Sequence, residues 1–280
     1  MRLVGAWVVH WFYRLNFFYD TETAFDKYQA WGFLKQVYFN AVLFNWLCVV
    51  VTCTLLFNIV KEHTGNLLFS FGGGLLYLLG FGTIFYAMMP LTEACSILLF
   101  TITLQQYLRR SYLVIIPLLL LIFQREYVLL AMGLLTICDL VFYKERYFLF
   151  VLMTALLSFG VYYFLRKTVF YTPALDFQSG AGFMWKNLIY PNIDFGQYLK
   201  QQLLTLNIFF LYLVLMVYKW WHKLAVDRFA FIKVMLLFLQ VNVVSISGGH
   251  GNNVGRYFYL LVPMVIFYLI REMSSQRVGG

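Results

Sequence analysis

The chain reads as an all-α, polytopic membrane helical bundle, and three observations predict it. Of its 280 residues, 62% are hydrophobic and 12% are charged, where a soluble domain carries roughly 25% charged residues. Mean hydropathy is +0.75. Apolar runs recur along nearly the whole length, and backbone in lipid must bond to itself, so such runs are helices. The short alternating strands of a β-barrel do not recur. About nine or ten crossings are expected, with surface-lying helices on the outer face.

The first run, 3–19, carries His10 and Arg14. It is a poor spanning segment, readable as a crossing, an interfacial helix or the remnant of a longer helix, and crossing is preferred. It lacks the small-residue cleavage site of a signal peptide. Residues 21–37 place Phe25, Tyr28, Trp31 and Leu34 three apart, which makes one aromatic-apolar face and predicts a helix lying in the membrane surface. Nine better spans follow, at 38–60, 67–89, 91–108, 111–123, 127–143, 148–165, 205–221, 230–246 and 257–270. The run 111–123 falls short of the roughly 20 residues a crossing needs, and is expected to be a partial helix.

Residues 166–204 form the long outer loop. Pro173, Gly180, Gly182, Pro191 and Gly196 punctuate it, among the aromatics Phe183, Trp185 and Tyr190. It is expected to be a re-entrant or surface-lying lid, with Asp194 capping a helix over 195–204. No repeat or low-complexity tract divides the chain, so 1–280 is one transmembrane domain, with 1–37 as its N-terminal segment and first outer loop. Cys48, Cys53, Cys95 and Cys138 lie in apolar runs without CxxC spacing, as buried free thiols do.

Positive charge sets the orientation. Alternate connections carry Lys61; Arg109 and Arg110; Lys144 and Arg146; Lys219, Lys223 and Arg228; and Arg271 and Arg277. That side is read as cytoplasmic. The net charge of +9 suits such loops and does not call for nucleic acid, because no basic patch interleaved with aromatics stands outside the membrane. A bacterial inner membrane, with the other face toward the periplasm or exterior, is the expected location.

The outer side gathers the polar residues that topology does not explain: Asp20, Glu22, Asp26, Glu93, Gln124, Arg125, Glu126, Lys186, His250, Asn252, Asn253 and Arg256, with Tyr257 next to the last. A carboxylate there can take a proton from a hydroxyl nucleophile, and arginines can hold a phosphate through paired hydrogen bonds. Together these suit transfer of a group from a phosphate carrier. Each residue also has a structural reading. Asp20 can cap a helix, Glu93 can favour a helix dipole, Arg125 can pair with Glu126, Arg256 can anchor at the interface, and His250 can be a plain loop histidine. Asp139 is expected to pair locally with Lys144, and His222 to sit in an interfacial belt. The glycines of Phe71-Gly72-Gly73-Gly74 point to close helix packing. No metal motif occurs, although outer acids have the chemistry to hold a divalent cation.

In order, Tyr19-Asp20-Thr21-Glu22, Met89-Pro90-Leu91-Thr92-Glu93-Ala94, Gln124-Arg125-Glu126-Tyr127 and Arg256-Tyr257 with Pro263 resemble motifs of the GT-C superfamily of integral membrane glycosyltransferases. These are an acid in the first outer loop, a Pro-x-x-Glu turn opening a helix, a broken helical pair and a late Arg-Tyr helix start. The resemblance implies a lipid-phosphate-linked sugar donor of the polyprenyl type and a hydroxyl acceptor. It makes Asp20 the general base, and Arg256 and Arg125 the contacts to the donor phosphate. The chain is shorter than is usual in that family, which implies a reduced or truncated relative. The competing expectation is a non-catalytic subunit with partner membrane chains, or a transporter. Against a transporter, no charged residue lies clearly at mid-span. Membrane lipids are partners under every reading.

Overall fold

The structure, a computed structural model, describes residues 35–88, 93–122, 126–168, 181–191, 194–205, 207–247 and 259–274. Every regular element among them is a helix. In order these are α1 (Lys35–Thr64), α2 (Leu67–Leu78), α3 (Phe81–Met88), α4 (Glu93–Leu108), a 3-10 turn (Tyr112–Val114) leading into α5 (Ile115–Leu121), α6 (Glu126–Tyr143), α7 (Arg146–Thr168), α8 (Ala181–Ile189), α9 (Phe195–Thr205), α10 (Asn207–Trp221), α11 (Arg228–Ser247) and α12 (Val262–Ser274). Among the described residues three helices, Asn40–Thr64, Arg146–Leu165 and Arg228–Ser247, are long and apolar enough to cross a membrane. The pair Phe195–Leu204 and Asn207–Trp221 makes a fourth if its 77° bend counts as one broken span.

Local chemistry sets the helix ends. Asn66 Oδ1 accepts from the N–H groups of Leu68 and Phe69 at 2.9 and 3.4 Å and opens α2. Asp194 Oδ1 accepts from Gly196 and Gln197 at 3.0 and 3.2 Å, the cap expected from sequence. Asp227 Oδ1 does the same for α11 through Phe229 and Ala230 at 3.1 and 3.0 Å. Each cap satisfies backbone donors that the first turn leaves without partners. Three helices turn off at residues in the left-handed region: Arg110 at φ 54°, Lys144 at 52° and Lys223 at 53°. Glycine usually takes this place. A cation there faces the negative end of the helix dipole, which offsets part of the strain.

The run 67–89 is not one helix. It breaks at Leu79-Gly80 into α2 and α3, where Gly80 N–H donates to Tyr77 O at 3.2 Å and the Thr83 hydroxyl donates to the same carbonyl. The segment 111–123 yields only a 3-10 turn and a seven-residue helix, as its length predicts. The long loop holds two short helices: α8 packs on α11, and the side chains of α9 bond to α11. The surface helix expected over 21–37 lies almost wholly outside the described residues, as does the run 3–19.

The last helix forms the core. Val262 through Ile270 are all buried, and α12 packs against α1, α2, α4 and α10. Glycine lets α2 approach it. A Cβ on Gly73 would stand 3.0 Å from Ile270 Cδ1 and 3.2 Å from Val60 Cγ2, and one on Gly74 would stand 3.1 Å from Cys53 Sγ. This is the close packing expected of the glycine run. Gly72 faces open space instead. On α3, a Cβ on Gly82 would fall 2.4 Å from the Tyr259 ring, which itself stacks on Tyr77 at 6.2 Å.

Two substitutions test this packing by thermal unfolding in detergent. Gly82→Ala should destabilise by about 1–3 kcal/mol, because an aromatic ring wedged in the core must move. Gly72→Ala should be neutral, or stabilising by up to about 1 kcal/mol through helix propensity.

Candidate functional site

Both ends of the bundle hold polar groups, and they differ in kind. At one end a chain of ion pairs joins almost every turn. Arg109 Nε donates to Glu62 Oε2 at 2.9 Å, tying α4 to α1. Arg110 pairs with Glu145 at 2.8 Å, tying α4 to the α6–α7 turn. Inside the helices, Asp139 on α6 accepts from Lys233 on α11 and from the Tyr107 hydroxyl on α4. All three are buried, and Lys233 Nζ also lies 4.3 Å from the centre of the Phe229 ring. Lys219 on α10 donates to the Glu272 carboxylate on α12 and, at 3.2 Å, to the Glu272 carbonyl. Their side chains are 1% and 3% exposed. Glu272 Oε1 accepts from Asp227 N–H at 2.9 Å, and Asp227 Oδ2 accepts from Arg271 at 2.9 Å.

These pairs correct two sequence expectations. Asp139 does not pair with Lys144, five residues on and just past the end of α6. It reaches across to Lys233, because its side chain faces the bundle interior. Lys219 is not a loop cation: it lies on the buried face of α10 and is neutralised there. An isolated charge in such surroundings costs far more than a paired one. Nothing local in the sequence marks these partners, which lie 53 and 94 residues apart. The one usable signal is that Lys219, Lys233, Asp139 and Glu272 interrupt otherwise apolar helical stretches.

At the opposite end the buried polar groups among the described residues are neutral apart from one carboxylate. Helices α1 and α4 pack together, and Glu62–Arg109 at their far ends makes them parallel. Their first turns therefore share the end away from the ion pairs. There Glu93 opens α4 and is fully buried. By helix rise it stands roughly 24 Å from Arg109 along the axis. Cys95 lies beside Cys48 of α1, which brings Ser96 and Asn45 to the same level, both buried. Asn40, further out on α1, is 1% exposed, and neither atom of its carboxamide has a partner among the described residues. Also at this end, Tyr198 and Gln202 of α9 donate to Asn242 Oδ1 of α11, the second at 2.6 Å. Asn187 of α8 donates to Ser247 O at 3.2 Å.

Of the outer-side residues singled out by sequence, the structure describes the side chains of Glu93, which is buried, and Lys186, which is exposed on α8. Glu126 opens α6, but its side chain lies outside the described residues. So do Asp20, Glu22, Asp26, Gln124, Arg125, His250, Asn252, Asn253, Arg256 and Tyr257. The residues that sequence reasoning passed over at this end are Asn40, Asn45 and Ser96. Their signal was a pair of asparagines five apart in an apolar run, which a search for charge misses. Among the described residues no three of His, Cys, Asp and Glu gather as a metal site needs. Cys48 and Cys95 are buried, Cys53 and Cys138 half-buried, and all four are free thiols.

Comparison with models of protein families, with curated proteins and with solved structures finds no match to this chain.

The buried pair gives a clean test. Lys219→Met should cost about 3–5 kcal/mol, because it leaves the Glu272 carboxylate buried and uncompensated. The double variant Lys219→Met/Glu272→Met should recover most of that loss in the same unfolding assay. Additive losses would mean that the two side chains do not act as a pair.

Proposed function

We propose that the chain is an integral membrane glycosyltransferase of the GT-C kind, a bundle of about nine or ten crossings that moves a sugar from a polyprenyl-phosphate carrier to a hydroxyl acceptor at the non-cytoplasmic face. The observation that carries this reading is the buried Glu93 carboxylate at the end remote from the basic face. Buried asparagines lie on the helix packed beside it. A carboxylate and carboxamides in a water-poor setting can bind sugar hydroxyls and orient them. In this reading Asp20 takes the proton of the acceptor hydroxyl as its oxygen attacks the anomeric carbon. The bond to the carrier's phosphate oxygen breaks, and Arg256 offsets the charge that remains on that phosphate. Glu93 serves to position the sugar.

The ion-paired end weighs against transport. A path reaching both faces would have to part Lys219 from Glu272 and Lys233 from Asp139, leaving buried charges without partners. No comparable barrier stands at the Glu93 end, where neutral hydrogen bonds join the described helices.

The test uses the full chain in vesicles with polyprenyl-phosphate sugars, and release of free polyprenyl phosphate is measured by mass spectrometry. Asp20→Asn should lower turnover by roughly a hundredfold or more while the unfolding midpoint holds, as expected for loss of a general base. Glu93→Gln should chiefly raise KM. Full turnover in Asp20→Asn rejects its role. No release with any carrier, together with stoichiometric partner chains in the purified protein, would favour the subunit reading.

A further inference from the structure

On the ion-paired face every described acid already has a cation. Glu62 is held by Arg109, Glu145 by Arg110, Asp139 by Lys233, Glu272 by Lys219 and Asp227 by Arg271. The acids also spend their other oxygens: Asp139 on Tyr107, Glu272 on Asp227 N–H, and Asp227 on the cap of α11. Four exposed cations on two adjacent turns are left without an ion pair among the described residues: Lys144 and Arg146 at the α6–α7 turn, and Lys223 and Arg228 in the α10–α11 connection. The turns are neighbours because the Phe142 and Tyr143 rings pack on Phe229, at 3.8 and 5.7 Å between centroids. Beside them Trp220 and Trp221 are each 77% exposed. Lys144 and Lys223 occupy left-handed backbone positions, at φ 52° and 53°, where glycine would fit with less strain.

We infer that this corner, formed by Lys144, Arg146, Lys223 and Arg228 with Trp220 and Trp221 at its edge, binds the phosphate headgroup of an anionic membrane phospholipid. The charge census argues for an anion, since none of the described acids on this face is left to compensate these four cations. The paired tryptophans argue for a lipid source, because exposed indoles settle at the headgroup level of a bilayer. Guanidinium and ammonium groups hold phosphate oxygens by charge-assisted hydrogen bonds, and clusters of such residues at the end of membrane helices recruit anionic lipid. This site lies at the opposite end of the bundle from Glu93, and it stands whether or not the chain transfers sugars.

The test places the full chain in nanodiscs of equal phosphatidylglycerol and phosphatidylcholine. The lipids retained after transfer to detergent are counted by native mass spectrometry. Phosphatidylglycerol should be enriched about tenfold, and the enrichment should fall as salt rises. Lys144→Gln/Arg146→Gln/Lys223→Gln/Arg228→Gln should bring the ratio back to that of the bulk. These side chains are exposed, so the variant should fold, and each turn can be changed separately if it does not. Lys61→Gln, on the same face but away from the corner, and Lys186→Gln/Lys200→Gln at the other end should leave the enrichment intact. Equal retention of both lipids, enrichment that survives the fourfold variant, or an equal loss in the control variants would each overturn the inference. So would displacement of the lipid by a co-purifying acidic protein segment.

Discussion

The lysine of α10 buried against the one glutamate of α12 is the constraint on which the rest of the bundle rests. An ammonium group with 1% of its side chain exposed cannot lie in an apolar interior without a counter-charge close by. Meeting that need fixes where α12 ends relative to α10. The same carboxylate takes the backbone N–H of Asp227, and Asp227 in turn opens α11 and binds Arg271. One buried charge thus sets the register of α10, α11 and α12, three helices that are consecutive among the described residues. The second buried pair, Lys233 with Asp139, extends this lattice to α6 and, through Tyr107, to α4. Such pairs need not raise stability over an apolar core. Their effect is to exclude other registers, since any slip would bury a bare charge.

A consequence is that the two ends differ mechanically. The basic face is held by charge-assisted bonds that join α1, α4, α6, α10, α11 and α12 and the turns beside them. The far end, among the described residues, is held by amide, hydroxyl and carbonyl groups of α8, α9 and α11, and by tight contacts around Gly82 and Tyr259. Neutral hydrogen bonds of this kind contribute about 0.5–1.5 kcal/mol each, and those to charged groups about twice that. Rearrangement is therefore cheaper at the Glu93 end. That end also carries a buried carboxamide, at Asn40, with no partner among the described residues.

Sequence made the helical class and most helix positions legible. The reason is elementary: long apolar runs with few charges have one stable backbone solution in lipid. The capping role of Asp194 was readable too, since it depends only on neighbours within three residues. The close packing at Gly73 and Gly74 was readable as a type of contact, though not as contact with Ile270 and Cys53. The break at Leu79-Gly80 was not readable, because Thr83 and Gly80 stop the helix only by competing for one carbonyl. For the candidate site, Glu93 was legible from its place after Pro90, whereas Asn40, Asn45 and Ser96 were passed over as ordinary polar interruptions.

The amino-acid order alone determined the all-helical class and the approximate positions of most described helices, because both follow from local composition and spacing. Only the tertiary structure decided which charges face inward and whom they meet. Lys219 and Asp139 look like interfacial or locally paired residues along the chain. Their partners stand 53 and 94 positions away, and that choice belongs to packing, which no local pattern encodes.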